Sequence, residues 1–391
     1  MKCIYLDYNA TTPMDPRVFE AMKPYFIEKF GNPSSSSHSY GWEADSAVSD
    51  ARKAVAELIG AKPAEVVFTA GSTEANNWVI GELARLFRLS KEKAHFITAL
   101  TEHPSIREPM RRAEEDGIEI TFLPVNAEGR VDIEELKKAI LPHTKLVSIM
   151  AANNEIGTLN PLTEIGEICH TNKIYFHTDA TQWVGKLPLN VDSMKIDLLS
   201  LSAHKFYGPK GIGALYIRSQ NPKVDLPPQI IGGGQERGRR SGTLNVPGIV
   251  GFGEAAKIAT CEVATEEKEL RSMKQLFIDE LKNANIEFRV NGSLEHSLPN
   301  TLNITFLNPK SDLFQMRLGS VAVSSTSACH SGDGNISPVL EALGLSVKEA
   351  KSSIRFSFGR GCTEQQLRAG AGTIIKALNH SGKAPFAEDG L

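Results

Sequence analysis

From about residue 16 to about residue 217, short apolar runs alternate with amphipathic stretches of helical period, and this alternation constrains the fold most. Strand patterns fall at 65–70, 95–100, 118–125, 145–151, 174–178, 197–202 and 212–217. Helical patterns lie between them at 73–87, 105–116, 132–140 and 162–172, with an earlier one at 47–59 stopped by Gly60. Asp15-Pro16 reads as an N-cap with proline at the first helical position, putting Val18, Met22 and Phe26 on one face. Repeated strand–helix units predict an α/β fold: a mainly parallel seven-stranded sheet covered by helices on both faces.

The character changes after about residue 260. A charged helix over 262–283 leads into strand-like runs at 287–290, 301–306, 321–324 and 353–357, with helices at 337–343 and 363–377. These predict a smaller α/β domain with a mixed or antiparallel sheet, against which the first dozen residues pack. The expected organisation is a large domain at 14–260 and a small one made of 1–13 and 261–391. A chain of 391 residues has the length for both cores. Its net charge of −3 offers no broad basic field to nucleic acid or an anionic membrane, and no long apolar stretch reads as a signal or a span. Five scattered cysteines, with no Cys-x-x-Cys pair, fit a reducing compartment, hence a cytoplasmic protein.

Chemistry gathers where the strands end. Lys205 follows one apolar strand in Ser200-Leu-Ser-Ala-His-Lys205-Phe-Tyr-Gly-Pro-Lys-Gly, 26 positions after Asp179 of His177-Thr-Asp179-Ala-Thr-Gln182. A pyridoxal phosphate (PLP) enzyme needs such a pair: an amine for the cofactor's aldehyde and a carboxylate for its pyridine nitrogen. Ser72 and Thr73, after Gly71 at a strand-to-helix junction, make either a phosphate cradle or a plain N-cap. Ser202 and His204 are further candidates for phosphate contacts. His103 is either a flat group for stacking on a ring or a turn histidine. Asn153 and Asn154, directly after a strand, are turn formers or donors, with Asn154 and Gln182 placed for a ring oxygen. Ligands collect at strand carboxyl ends in parallel α/β sheets, so the ordered convergence outweighs any single match.

Three further segments stand out. The loop Gly232-Gly-Gly-Gln-Glu-Arg237-Gly-Arg-Arg240-Ser-Gly-Thr243 is flexible or suited to an anion. Arg355, alternating with apolar residues on a strand, faces solvent or an anionic partner such as a substrate carboxylate. Cys329 lies in Ser324-Ser-Thr-Ser-Ala-Cys329-His330-Ser331-Gly332-Asp-Gly334, a polar, small-residue setting in which a thiolate can be exposed and swing.

Together these segments resemble the PLP-dependent cysteine desulfurases, in the class V aminotransferase group of fold-type I enzymes. The likeness runs from Tyr5-Leu-Asp-Tyr-Asn-Ala-Thr-Thr-Pro13 to Ile354-Arg-Phe-Ser-Phe-Gly-Arg360. Its specific pieces are Gly31-Asn-Pro-Ser-Ser, Asn153-Asn-Glu-Ile-Gly, His177-Thr-Asp-Ala-Thr-Gln, Ala203-His-Lys-Phe-Tyr-Gly-Pro-Lys-Gly, Arg240-Ser-Gly-Thr-Leu-Asn and Ser327-Ala-Cys. The resemblance implies that Lys205 carries PLP, Asp179 partners its ring nitrogen and His103 stacks on it and moves protons. It implies Asn154 and Gln182 on the ring oxygen and Ser72, Thr73, Ser202 and His204 on the phosphate, with Thr243 arriving from the second subunit of a homodimer. Arg355 and Asn153 would hold the substrate carboxylate, and Cys329 would take sulfur from L-cysteine as a persulfide, releasing alanine. An iron–sulfur scaffold is the expected kind of acceptor protein. The run His330-Ser-Gly-Asp-Gly also resembles selenocysteine lyases, so L-selenocysteine is the alternative substrate, and another chemistry on the same fold, such as transamination, is a third reading.

Overall fold

The computed structural model describes residues 3–309, 315, 318–325 and 336–380. Its strands, in chain order, begin with β1 (Ile4–Tyr5), β2 (Val66–Thr69), β3 (His95–Ala99) and β4 (Glu119–Leu123). They continue as β5 (Thr144–Ser148), β6 (Tyr175–Asp179), β7 (Leu198–Ser202) and β8 (Gly213–Ile217). The second half adds β9 (Phe288–Asn291), β10 (Thr301–Phe306), β11 (Val321–Ala322), β12 (Ser324–Ser325) and β13 (Ser353–Ser357). Strands β2 to β8 form a seven-stranded sheet in the order β2-β8-β7-β6-β5-β3-β4. Only β8 runs antiparallel to its neighbours, β2 and β7. The mainly parallel seven-stranded sheet read from the sequence is therefore present.

Both faces of that sheet are buried, which is why its strands read as nearly continuous apolar runs. Phe68, Ile97, Val147, Leu199 and Tyr216 point into one core, while their chain neighbours Val67, Phe96, Leu146, Leu198 and Leu215 point into the other. A polar bridge crosses the sheet's centre: the His177 ring on β6 hydrogen-bonds Ser148 on β5 at 2.8 Å and Ser200 on β7 at 3.0 Å. Burial lowers the His177 pKa to about 4, so the bridge is neutral.

A second, antiparallel sheet has the order β12-β13-β10-β9. Leu302, Ile304, Ile354, Phe356 and Phe277 fill its core, together with Leu6 from the N-terminal segment. That segment pairs β1 with β11 in parallel, and Asp7 forms a bridge to Ser357.

Two helical expectations are corrected. The helix Pro16–Met22 ends early, and Pro24 opens a separate short helix, Pro24–Ile27. Pro24 lacks the N–H that would continue the ladder, so Phe26 leaves the apolar face and stands 59% exposed. The charged helix expected from 262 starts sixteen residues sooner, running Val246–Asn283 with Asn245 as its cap. Gly248, Gly251 and Gly253 weaken helical propensity there, yet tertiary packing requires the small residues at 251 and 253, and the Asn245 cap crowds Gly248. A Cβ on Gly251 would stand 2.4 Å from Met22 Sδ, and one on Gly253 would stand 2.5 Å from Ala51 Cα in the helix Ser39–Ile59.

This contact sets a paired stability test. Gly253→Ala overpacks a closed helix contact and should cost about 1–3 kcal/mol. Gly81→Ala, within the helix Ser72–Ser90 and facing open space, should instead stabilise by about 0.5–1 kcal/mol. Denaturant midpoints moving in opposite directions are expected; a neutral Gly253→Ala contradicts the packing described.

Candidate active site

Because β2 and β7 are both antiparallel to β8, β2 runs in the same sense as β3 to β7. The segments after β2, β3, β5, β6 and β7 therefore emerge on one edge. Asn9, Ala10, Ser72, Thr73, His103, Met150, Ala152, Asn154, Asp179, Thr181, Gln182, His204, Lys205, Ser324 and Arg355 line a cavity of about 330 Å³ there. A second cavity of about 390 Å³ adjoins it, sharing Ser72, Thr73 and His204.

Lys205 Nζ donates to the main-chain oxygens of Asn9 at 2.6 Å and Ala10 at 2.7 Å. Among the described residues no carboxylate binds it directly. Burial, reinforced by the positive charge of Arg355, lowers its pKa to about 8, while Asp179 and Asp7 oppose the shift. A substantial fraction of the amine is thus unprotonated, and nucleophilic, in mildly alkaline solution.

Asp179, at the end of β6, is 5% exposed. Its Oδ1 accepts from Thr181 N at 3.0 Å and its Oδ2 from Asn76 Nδ2 at 2.8 Å. Asn76 Nδ2 also donates to Ser105 Oγ, which in turn meets His103 Nδ1 at 2.8 Å. This chain orients both the carboxylate and the imidazole. His103 caps the helix Pro104–Glu115 and opens onto the cavity; the surrounding protein lowers its pKa, opposed by Asp179.

The Gln182 side chain is pinned at both ends. Its Nε2 donates to Asn9 O at 2.9 Å, and its Oε1 accepts from Lys186 Nζ at 2.8 Å. Arg355 is 6% exposed, which removes the solvent-facing reading. It donates to Asp7 Oδ1 and Ser324 Oγ, each at 2.7 Å, and to Asn154 O at 3.0 Å, while its Nε is buried without a partner among the described residues. Asn154 lines the cavity; Asn153 does not. The Asn153 Oδ1 accepts from Glu155 N and Ile156 N, and its Nδ2 donates to Thr101 O, so its side chain is spent on the turn rather than turned toward Arg355.

Gly71, Ser72, Thr73, Ser202, His204, Lys210 and Gly211 are among the walls of the second cavity. His204 Nδ1 meets Thr11 Oγ1 at 3.1 Å, and burial, then Lys205, Lys210 and Lys186, bring its pKa to about 4. Thr243 is exposed and lines neither cavity. Two arginines of its loop find partners within the chain, Arg240 pairing with Glu74 and Arg237 donating to Ala64 O, whereas Arg239 Nη1 is buried with no partner among the described residues. Cys329 lies outside the described residues, as does His330.

Sequence reasoning missed Asp7, Asn9, Asn76 and Glu102. The Glu102 Oε1 accepts from Met150 N at 2.7 Å, and complete burial pushes its carboxyl well above the usual range. Its neighbour His103 was the visible feature; a glutamate beside a strand end gives no sign of burial. A larger cavity of about 530 Å³, lined by Arg52, Glu236 and Arg237, lies elsewhere, and there Arg52 and Glu236 already neutralise each other at 2.6 Å.

The chain matches the sequence model of the class-V aminotransferases over residues 4–369. It is 46% identical over 376 residues to "Cysteine desulfurase IscS" of Rickettsia bellii (strain OSU 85-389), covering 96% of this chain and 91% of that one. It is 45% identical over 380 residues to the human "Cysteine desulfurase", covering 97% and 82% respectively. Among solved structures, a "NifS-like protein" superimposes with a TM-score of 0.88 at 38% identity, over 96% of this chain and 99% of that one. "SspA in complex with cysteine" gives 0.81, also at 38% identity, over 90% and 98%.

The Lys205 environment makes a direct prediction. In ligand-free protein, labelling of Lys205 by a neutral amine-reactive reagent should reach half its maximum near pH 8, read by peptide mass spectrometry. Asp7→Asn should move that midpoint lower, because it removes a negative charge that favours the ammonium. A midpoint near the ordinary lysine value of about 10.4 contradicts the burial described.

Proposed function

Because the chain belongs to the class-V aminotransferase family, we infer that it is a PLP-dependent cysteine desulfurase. It converts L-cysteine to L-alanine and passes the sulfur to Cys329. The carrying observation is the shared cavity, in which a half-buried amine and a buried carboxylate meet an imidazole and an arginine. The residues fit PLP: the ring would occupy the Lys205–Asp179 cavity and the phosphate the adjoining one. Thr181 Oγ1 and Arg355 Nε, buried and without a partner among the described residues, leave polar capacity beside the ring chamber. When bound, PLP supplies an electron sink that stabilises negative charge developed at the substrate carbons.

Lys205 would hold the cofactor through its amine, and Asp179 would keep the ring nitrogen protonated. His103 would stack on the ring, while Asn154 and Gln182 would donate to the ring oxygen. Ser72, Thr73, Ser202 and His204 would grip the phosphate, joined by Thr243 from a second copy in a homodimer. Arg355 would exchange Asp7 for the substrate carboxylate, matching its fork to two oxygens. Asn153 would act through the turn that presents Asn154. Lys205, once released, would remove the proton at the substrate Cα, and His103 would serve as a further proton carrier. The Cys329 thiolate would attack the substrate sulfur; an S–S bond forms as the C–S bond breaks. Proton return to carbon completes alanine, leaving a persulfide for an acceptor such as an iron–sulfur scaffold protein.

No helix among the described residues is long and apolar enough to cross a membrane, and we propose a cytoplasmic location. The division into a large domain at 14–260 and a small one of 1–13 and 261–391 is likewise proposed, with the catalytic cysteine on the small one. The run after Cys329 supports selenocysteine lyase activity as the second reading.

Alanine release from L-cysteine and L-selenocysteine, measured in parallel with added reductant, tests both. Comparable turnover with a persulfide mass on Cys329 supports the desulfurase; turnover of selenocysteine alone supports the lyase. Lys205→Ala should abolish alanine formation from either substrate. Cys329→Ala should lower release from L-cysteine by about two orders of magnitude or more while retaining PLP. Undiminished cysteine turnover in either variant overturns the corresponding assignment.

A further inference from the structure

Lys186 is a buried cation outside the steps above. It is 7% exposed, in the segment that leaves β6 after Asp179. A lysine that served only to fill space would be costly there, since an ammonium loses its hydration on burial. Leucine or methionine would fill the same volume without that cost. Its hydrogen bonds show what the amine does instead: among the described residues, both end on Gln182, at 2.8 Å on Oε1 and 3.0 Å on the main-chain oxygen.

The amide of glutamine can face either way, and its two faces have opposite chemistry. Here the Asn9 carbonyl decides which way it faces. Asn9 O can only accept, so Nε2 must face it, and the main-chain bond of Lys186 aims its other N–H at Oε1. Asn9 lines the cavity and Lys186 does not. The donor side of Gln182 is consequently drawn to the cavity and the acceptor side away from it. Asn9 O is also shared with Lys205 Nζ, whereas the Lys186 bonds are Gln182's alone. Lys186 is therefore the unshared element of the clamp.

We propose that Lys186 is a positioning residue for the reaction, fixing the Gln182 carboxamide so that its remaining N–H can donate into the cofactor cavity. This rests on the PLP reading above. The charged groups acting on Lys186 are Lys205 after β7, Arg355 on β13 and Glu266 on the helix Val246–Asn283, and none is hydrogen-bonded to it. Burial and then Lys205 lower its pKa to about 7, opposed by Glu266, and either protonation state keeps the two N–H groups it uses.

The test follows the visible absorption of the PLP-loaded protein as a function of pH, for the wild type, Lys186→Met, Gln182→Ala and the double variant. A donor to the ring oxygen stabilises its anionic form. Its loss should raise the absorption midpoint by about one pH unit in Lys186→Met. The shift should be absent when Lys186→Met is added to Gln182→Ala, because one residue acts through the other. Three results overturn the inference: an unchanged midpoint in Lys186→Met, an undiminished shift in the Gln182→Ala background (which marks direct action of the lysine charge), or a fall in thermal stability alone. Lys186→Leu carries the same comparison if the methionine variant does not fold. Wild-type protein that takes up no PLP removes the reading itself, and this inference with it.

Discussion

The Lys205 amine is held at the edge of the large sheet by two carbonyls of the N-terminal segment, those of Asn9 and Ala10, and by no carboxylate among the described residues. Carbonyl dipoles anchor an amine without the full charge that would keep it protonated, and burial then lowers its proton affinity. The same segment ties the two sheets together. Asp7 meets Arg355 on β13, Asn9 Nδ2 reaches Thr301 on β10, and Leu6 enters the smaller core. A few residues near the chain start thus determine where the amine, the arginine and the second sheet stand relative to one another.

Charge in the cavity is sparse and arranged by burial. The histidines His103 and His204 are both shifted toward neutrality, and Glu102 toward its uncharged acid. Arg355 and Lys205 remain as the cationic groups lining the cavity, with Asp179 lining it and Asp7 behind Arg355. Such a site can receive an anionic substrate while keeping one amine available for covalent chemistry. The Asn76–Ser105–His103 chain and the Lys186–Gln182–Asn9 chain hold its flat groups in place.

Much of this was legible in the sequence because doubly buried strands leave short apolar runs, and each strand end marks a ligand position. Lys205, Asp179 and His103 were found in that way. The antiparallel direction of β8 was not, since a strand's composition does not record its direction. Pro24 and the glycines of the helix Val246–Asn283 misled propensity in opposite directions: one ended a helix that the apolar pattern continued, while the others lay in a helix that packing demanded. Asn76 sits on a helix and Asp7 beside a two-residue strand, so neither carries a local pattern, and their contacts with Asp179 and Arg355 span more than a hundred residues. Asn153 was found at the right strand end with its side chain committed to the turn.

The central claim is that Lys205, and not a neighbouring amine, carries the cofactor. Lys186 is close enough to be perturbed by Lys205, and Lys210 lines the adjoining cavity, so both are real competitors. Borohydride reduction of the PLP-loaded protein, followed by peptide mass mapping, locks the cofactor onto whichever lysine holds it. A pyridoxyl mass is expected on the peptide containing Lys205 and on no other. The mass on Lys186 or Lys210, with Lys205 unmodified, would contradict it.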